Sequence, residues 1–152
     1  MSVHLTPTQA QGAALMARGL TGPVTMLNLL RFHEVADYSA TPELAPPDAI
    51  TGAQAFARYI THATPHLEAS GGALLFLGSG GPWFIGPENE GWDAAMLVRQ
   101  SSIAAFLSFA ANEAYMDVIA HRTAALLDAR LLPLQDVTDK GTDPWTTSTP
   151  TA

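Results

Sequence analysis

The sequence predicts one α+β domain with strands and helices in the order strand, helix, strand, strand, helix, strand, after an extra N-terminal helix. Three features carry this prediction: an apolar run at Val24–Phe32, an amphipathic helix starting near Thr51, and a proline, Pro133, within the last apolar run. That order is typical of a ferredoxin-like βαββαβ sandwich, in which the last strand lies at the sheet edge beside the first. Pro133 suits an edge strand because proline cannot donate a ladder hydrogen bond.

The composition restricts the classes of protein that this chain can belong to. It has 152 residues, 47% of them hydrophobic, which suits one domain with one core. The formal net charge is −7, with 14 acidic against 7 basic residues, which argues against nucleic-acid or anionic-membrane partners. Cysteine is absent, so disulfides and thiolate metal sites are excluded. No signal-peptide pattern or membrane-length apolar run is found, so we expect a cytoplasmic protein.

The chain begins with a predicted helix over 6–20. Thr6 can cap it, with Gln9 completing a capping box, and Gly22 ends it. The run Val24–Phe32 follows as a central strand with two apolar sides. Residues 33–50 contain three prolines and no sustained period. They predict a long loop of the kind that often forms a lid or a binding segment.

A second helix starts at Thr51, where Gln54 again occupies the capping-box position, and it ends at Gly71. Two strands follow, at 73–78 and 92–100, with a turn-rich segment between them.

The last third of the chain carries a helix capped by Ser101 or Ser102, a further helical stretch after Asn112, and a strand over 129–137. The whole of 1–137 is therefore expected to form one domain, with its core in 24–137. Residues 138–152 are rich in Thr, Asp, Pro and Gly, and they predict a flexible tail or an arm on a dimer partner.

A four-stranded sheet with helices on one face leaves its other face bare. Here both sides of Val24–Phe32 are apolar, as are Trp92, Ala94, Met96 and Val98 in the third strand. The bare face therefore needs a cover, and a second copy of the chain is the simplest one. We expect a homodimer whose two sheets form an eight-stranded dimeric α/β barrel about a two-fold axis.

Several short motifs occur together in this chain. They are MLNLLRF at 26–32, RY at 58–59, GG at 71–72, WD at 92–93 leading to LVR at 97–99, AFL at 105–107 and HRTAAL at 121–126. As a set, over roughly residues 24–135, they resemble domain-of-unknown-function family 1330 of the dimeric α/β-barrel superfamily. The resemblance implies a ferredoxin-like protomer and a homodimer. It implies no reaction, because the superfamily includes cofactor-free monooxygenases, haem-degrading enzymes, lactone isomerases and proteins that only bind ligands.

Polar residues within the predicted strands are the first candidates for a site. Asn28 is an amide in the middle of an apolar strand, so it should line a ligand pocket or bond to nearby backbone. Arg31 and Arg99 end the first and third strands, which are neighbours in this fold, and their guanidiniums could converge on a carboxylate ligand. Pairing with surface acids such as Asp93 or Glu34 is the alternative.

A second group of candidates lies on the helices and at a strand start. His121 and Arg122 share the last helical stretch, where Asp117, one turn earlier, could orient the imidazole; a surface ion pair is the alternative. Tyr59 could donate a hydrogen bond towards the sheet, and Trp92 begins a strand. Core packing, or for Trp92 the dimer interface, is the alternative for these aromatic residues.

We predict no metal site and no cofactor. His62 and His66 have the spacing of a two-histidine site, but no Glu follows His62 and no third ligand is evident. Asn28, Trp92 and His121 repeat residue types of the haem-degrading enzymes. The histidine comes too late in this chain for that pattern, so the resemblance does not extend to haem.

These observations together predict a homodimer that binds a small, partly apolar organic molecule in a cleft between helices and sheet. The candidate ligand-binding residues are Asn28, Arg31, Tyr59, Trp92, Arg99, His121 and Arg122. One alternative is a cofactor-independent monooxygenase or isomerase in which His121 is the base and Asn28 steadies an enolate or peroxide. Another is a structural dimer with no ligand.

Overall fold

The computed structural model describes residues 3–138, apart from the side chains of Glu113, Ala114, Met116 and Asp117. Nearly all of the predicted tail at 138–152 therefore lies outside the described residues. The elements follow in the order α1 Gln9–Ala17, β1 Val24–Phe32, α2 Gly52–Ala69, β2 Ala73–Pro82, β3 Gly91–Gln100, α3 Ile103–Ala110, α4 Glu113–Ala125 and β4 Leu126–Leu134. This is the predicted α+β, ferredoxin-like order with its extra N-terminal helix.

The four strands form one antiparallel sheet in the order β2-β3-β1-β4. Asn28 at the centre of β1 lies opposite Met96 of β3 on one side and Leu131 of β4 on the other. The structure thus confirms that β1 and β3 are neighbours and that Pro133 lies on an edge strand.

The helices cover one face of this sheet. Val24, Met26, Asn28 and Leu30 are the buried side of β1, and Leu30 belongs to a core with residues of α2 and α4. Ala94 and Met96 lie opposite Leu30 and Asn28, so they share this covered face. Ala94 and Met96 therefore pack in the helix-covered core and add nothing to the bare face, because cross-strand partners point to the same side of a sheet.

Three elements have boundaries that differ from the predictions, namely α1, which covers Gln9–Ala17 rather than 6–20, β2 and β4. The capping box of α1 forms between Thr8 and Gln11 rather than between the predicted Thr6 and Gln9. The two Thr–Gln pairs have the same three-residue spacing, so spacing alone does not distinguish them. Strand β2 continues to Pro82, which lies opposite Gly91. Strand β4 runs over Leu126–Leu134 rather than 129–137, because the length of β1 fixes the residues that can pair with it.

The remaining boundaries agree with the sequence. Strand β1 has the predicted limits, Thr51 and Gln54 form the capping box of α2, and Ser102 caps α3. Helix α4 begins directly after Asn112. Within the described part of the chain, no helix is long and apolar enough to cross a membrane.

The loop at 33–50 is the predicted irregular segment, with a single short 3-10 helix at Pro42–Leu44. Its backbone is tied to the helical layer: the His33 N–H donates to the Ala125 carbonyl at 2.9 Å, and the Asp37 N–H donates to the Ala124 carbonyl at 2.9 Å. These bonds hold Tyr38, which is buried, against α2 and α4.

Candidate functional site

A cleft of about 240 Å³ lies between α2 and the β2–β3 side of the sheet. Its lining is mainly apolar and consists of Phe32, Ala53, Phe56, Ala57, Leu77, Gly78, Ser79, Asp93 and Ala94. Asp93 is its charged member, and the Asp93 carboxylate accepts a hydrogen bond of 2.8 Å from the Phe32 N–H. The cleft is suited to an apolar group. None of the candidate ligand-binding residues from the sequence lines it.

Asn28 is buried on the helix-covered face of β1, as its place in an apolar strand indicated. Its side-chain Nδ2 donates to the Met26 carbonyl at 3.2 Å, a bond within its own strand. This bond corresponds to the second of the two roles expected for Asn28, hydrogen bonding to nearby backbone.

Tyr59 and Tyr115 bring α2 and α4 together through a hydrogen bond between their hydroxyl groups. Burial raises the pKa of Tyr59 and raises the pKa of Tyr115 far above its usual range, where the neighbouring Tyr59 adds to the effect. Both hydroxyls therefore stay protonated. Arg122 lies near this pair and donates to the Leu5 carbonyl at 3.4 Å. Tyr59 thus has the alternative role given for it above, that of a core aromatic residue whose hydroxyl is hydrogen-bonded.

His121 on α4 is half-buried beside the loop and α2. Its Nδ1 lies 2.8 Å from the Tyr38 hydroxyl, and its ring stacks on His62 with 5.6 Å between centroids and 20° between planes. Burial lowers the pKa of His121, and electrostatic repulsion from the neighbouring His62 and Arg58 lowers it further. Asp117 was expected to orient the His121 imidazole, but its side chain lies outside the described part of the structure.

Arg31 meets Asp128 and Arg130, not Arg99. The buried Asp128 carboxylate accepts a 2.6 Å hydrogen bond from Arg130 Nη1, and its second oxygen lies 3.8 Å from Arg31 Nη1. The two guanidinium carbons lie 4.6 and 5.0 Å from the Trp92 ring centroid. Arg31 also donates to the Gly91 carbonyl through Nε and Nη2, at 3.1 and 2.6 Å. Two of the five N–H donors of Arg31, one on Nε and one on Nη2, are therefore used within the fold.

The expected convergence of Arg31 and Arg99 is wrong. Arg99 lies opposite Thr25 at the start of β1, whereas Arg31 is near the end of that strand. Antiparallel neighbours place their C-terminal ends at opposite edges of a sheet, so six residues of strand, on the order of 20 Å, separate the two.

A second, more open cavity of about 400 Å³ lies at the loop end of the β2–β3 hairpin, where Arg31 and Trp92 contribute to the wall. Glu88, Glu90 and Asp93 also line it. Because three carboxylates line this cavity and Arg31 is already bonded within the fold, we regard the apolar cleft as the better ligand site.

The sequence analysis missed three residues of these clusters, namely Tyr38, Asp128 and Arg130. An acid inside the run at 126–134 is a detectable signal, because a charge in an apolar strand is buried only with partners. Tyr38 lies in an irregular loop, where no periodicity marks which side chains point inwards. Among the described residues there is no group of three or more His, Asp or Glu side chains placed to hold a metal ion.

Comparison with known proteins gives structural relatives and no known activity. No model of a known protein family matches the chain, and no curated protein matches it. A crystal structure of the RPA0582 protein from Rhodopseudomonas palustris, of unknown function, is 32% identical with a TM-score of 0.73, and the match covers 91% of this chain and 100% of that one. The methylated RPA0582 protein is 31% identical with a TM-score of 0.76, over 93% of this chain and 100% of the other.

Proposed function

Because the chain belongs to the same family as the Rhodopseudomonas palustris RPA0582 protein, whose function is unknown, we propose a function from the cleft itself. The protein binds a small, largely apolar organic molecule between α2 and the sheet. The cleft beside Phe32 and Phe56 is the observation that carries this proposal. An engineered apolar cavity of about 150 Å³ is enough to bind benzene, so a cleft of about 240 Å³ can hold one or two rings.

Replacing Ala57 by tryptophan is expected to abolish binding. Ala57 is exposed on α2 and lines the cleft, so an indole ring there would occupy the space without entering the core. We expect that uncharged indole, titrated into the unmodified protein, shifts the backbone NMR signals of Ala53, Gly78 and Ser79 saturably. In the Ala57→Trp protein the affinity should fall at least about tenfold, which is about 1.4 kcal/mol.

Ala69→Trp is the matched control, because Ala69 is exposed at the other end of the same helix and does not line the cleft. It should bind indole as the unmodified protein does. A structural dimer with no ligand site predicts no saturable shifts in any of the three proteins. That result, or equal binding by the Ala57→Trp protein, would remove the cleft as the site.

We also propose that the protein is a homodimer that pairs through the uncovered face of its sheet. The side chains of β1 on that face, Thr25, Leu27, Leu29 and Arg31, belong to neither core cluster. Leu27 lies opposite Leu97 of β3 and Leu132 of β4. Leu97 in turn lies opposite Phe76 of β2.

These four side chains form a continuous apolar row across all four strands, because directly opposed residues point to the same face. Phe76 is 57% exposed and Leu132 is 53% exposed at the two ends of the row. Exposed apolar surface of this extent is typical of an interaction site. A second copy related by a two-fold axis would present the same row and cover it.

Leu27→Asp places a charge at the centre of this row and should dissociate the dimer. We expect the dimer constant to weaken at least about thirtyfold, roughly 2 kcal/mol, in sedimentation-velocity dilution series. Leu107→Asp is the control, since Leu107 is 44% exposed on α3, in the helical layer. A monomeric unmodified protein, or a dimer that Leu27→Asp leaves intact, would contradict the proposed interface.

We propose further that the family is domain-of-unknown-function family 1330. The motifs MLNLLRF at 26–32 and HRTAAL at 121–126 support this assignment, and a ferredoxin-like chain is what it implies. An alignment built outwards from the chain and the RPA0582 protein tests it. Members of family 1330 should join that alignment with both motifs in register.

A further inference from the structure

A second polar cluster lies away from the cleft, on the opposite side of α2. At 100° per residue, Arg58 and His62 point roughly opposite to Ala53 and Ala57 of the cleft. Arg58 and His62 are four residues apart, so they share one face of the helix. That face meets His121 of α4, where the imidazoles stack at 5.6 Å.

This cluster brings one arginine and two histidines together, and no described carboxylate lies among them. The chain has twice as many acidic as basic residues, 14 against 7, yet no described carboxylate forms an ion pair with Arg58, His62 or His121. Arg58 donates no hydrogen bond to any described residue, although its charge acts on both Tyr38 and His121. A protein rich in carboxylates that gathers one guanidinium and two imidazoles with no described acid among them has left a place for an external anion.

The contact with Tyr38 determines which ring nitrogen of His121 is left free to bind an anion. The Tyr38 hydroxyl lies 2.8 Å from Nδ1 of His121 and has no other described acceptor, so the tautomer that satisfies this hydroxyl is the one in which it donates a hydrogen bond to Nδ1. The remaining proton of the ring then sits on Nε2, which bonds to no described residue. Nε2 is a donor in the neutral and in the protonated ring alike. His121 is therefore built to donate a hydrogen bond outwards rather than to take a proton there.

We propose that Arg58, His62 and His121, with Tyr38 as the positioning residue, bind the oxyanion group of a small molecule, a carboxylate or a phosphate. Arg58 supplies a permanent charge and a fork of donors, and the two imidazoles supply N–H groups. The described groups that face the site are Tyr38 from the loop, Arg58 and His62 from α2, and His121 from α4. The proposal does not rest on the cleft, because the two sites lie on different sides of α2.

Sulfate is the first probe, because it stays a dianion between pH 5 and pH 8 while histidine loses its proton. We expect sulfate to raise the pKa of His121, followed by the imidazole proton signals in NMR, since a bound anion favours the charged ring. Affinity should fall at least about tenfold from pH 5.5 to pH 8. Acetate forms the second arm: stronger binding of sulfate indicates a phosphate ligand, and stronger binding of acetate indicates a carboxylate.

Arg58→Gln should weaken sulfate binding at least about tenfold at pH 5.5. It should also raise the pKa of His121 in the absence of sulfate, because the charge of Arg58 helps to lower it. Arg99→Gln, another exposed arginine lying outside the cluster, should bind within about twofold of the unmodified protein. His62→Gln is a second test on the same helix and should weaken binding as well.

The site is ruled out if sulfate gives no saturable shift at His121, or if Arg58→Gln and Arg99→Gln bind it equally. Indole binding in the cleft should be unchanged by Arg58→Gln. Failure of the oxyanion site and failure of the cleft are therefore separately visible.

Discussion

Gly52→Ala is expected to destabilise the protein by about 3 kcal/mol, because a methyl group at this position has no space. A Cβ at Gly52 would lie 2.3 Å from the His33 carbonyl oxygen and 2.7 Å from the Ala125 carbonyl oxygen. Both are backbone atoms, so neither can rotate away. The Gly52 N–H also donates to His33 at 3.1 Å, which ties the start of α2 to the end of β1.

The measurement is chemical denaturation followed by circular dichroism, with thermal melting as a second readout. A loss of about 3 kcal/mol corresponds to a fall in Tm of about 10 °C for a chain of this size. Gly12→Ala is the matched control, because Gly12 lies inside α1 with nothing within 4 Å of the added Cβ. That change should be neutral or stabilise by up to about 1 kcal/mol. If the Gly52→Ala protein is as stable as the unmodified one, the backbone of His33 and Ala125 can move to accommodate the methyl group, and the prediction is contradicted.

Asp128→Ala should cost about 3 kcal/mol at neutral pH, the lower end of the range for a broken buried ion pair. Asp128 is only 2% exposed, and its Oδ1 accepts from Arg130, from the His4 N–H at 2.8 Å and from the Ala129 N–H at 2.9 Å. Its loss leaves two arginines beside Trp92 without a carboxylate. The lower end applies because the side chains of Arg31 and Arg130 stay 23% and 35% exposed and can regain water.

Asp93→Ala is the comparison for this change. The Asp93 carboxylate is exposed and accepts one backbone hydrogen bond, from Phe32, so its loss should cost about 1 kcal/mol or less. If Asp93→Ala and Asp128→Ala lower the free energy of unfolding equally in urea denaturation, the buried Asp128 carboxylate stabilises the fold no more than an exposed one, and the prediction is contradicted.

The contribution of Asp128 should also depend on pH. Burial alone would raise the pKa of Asp128, but the hydrogen bonds from His4, Arg130 and Ala129 and the charge of Arg130 outweigh it and lower that pKa. The stabilisation is therefore complete above the unfolded pKa of about 3.9 and is lost as pH falls through the lower folded value. The stability difference between the unmodified protein and Asp128→Asn should be constant above about pH 5 and shrink below about pH 4.

Local chemistry was enough to predict most of the fold. The capping box at Thr51, the serine cap of α3 and the limits of β1 depend on residues within a few positions of one another, so they are visible in the chain. Pro133 placed β4 at an edge for an equally local reason, the missing N–H. The limits of β4 and β2 were less predictable, because a strand ends where its partner ends.

The candidate sites were predictable to the same extent: single residues were visible in the sequence, but their long-range contacts were not. The sequence marked Asn28 as a candidate because a polar group among apolar neighbours needs a partner, and it marked His121 because Asp117 stands one turn earlier on the same helix. It could not show that Tyr38, from a loop 83 residues earlier, bonds to His121.

By itself, then, the sequence determined the element order, the ferredoxin-like topology and the residues with chemical potential, because periodicity, caps and prolines act over short distances. Only the tertiary structure decided which of those residues meet. It paired Arg31 with Asp128 rather than placing it beside Arg99, because antiparallel strands carry their ends to opposite edges. It also stacked His62 on His121, and opened the cleft beside Phe56, through the packing of α2 on α4 and on the sheet.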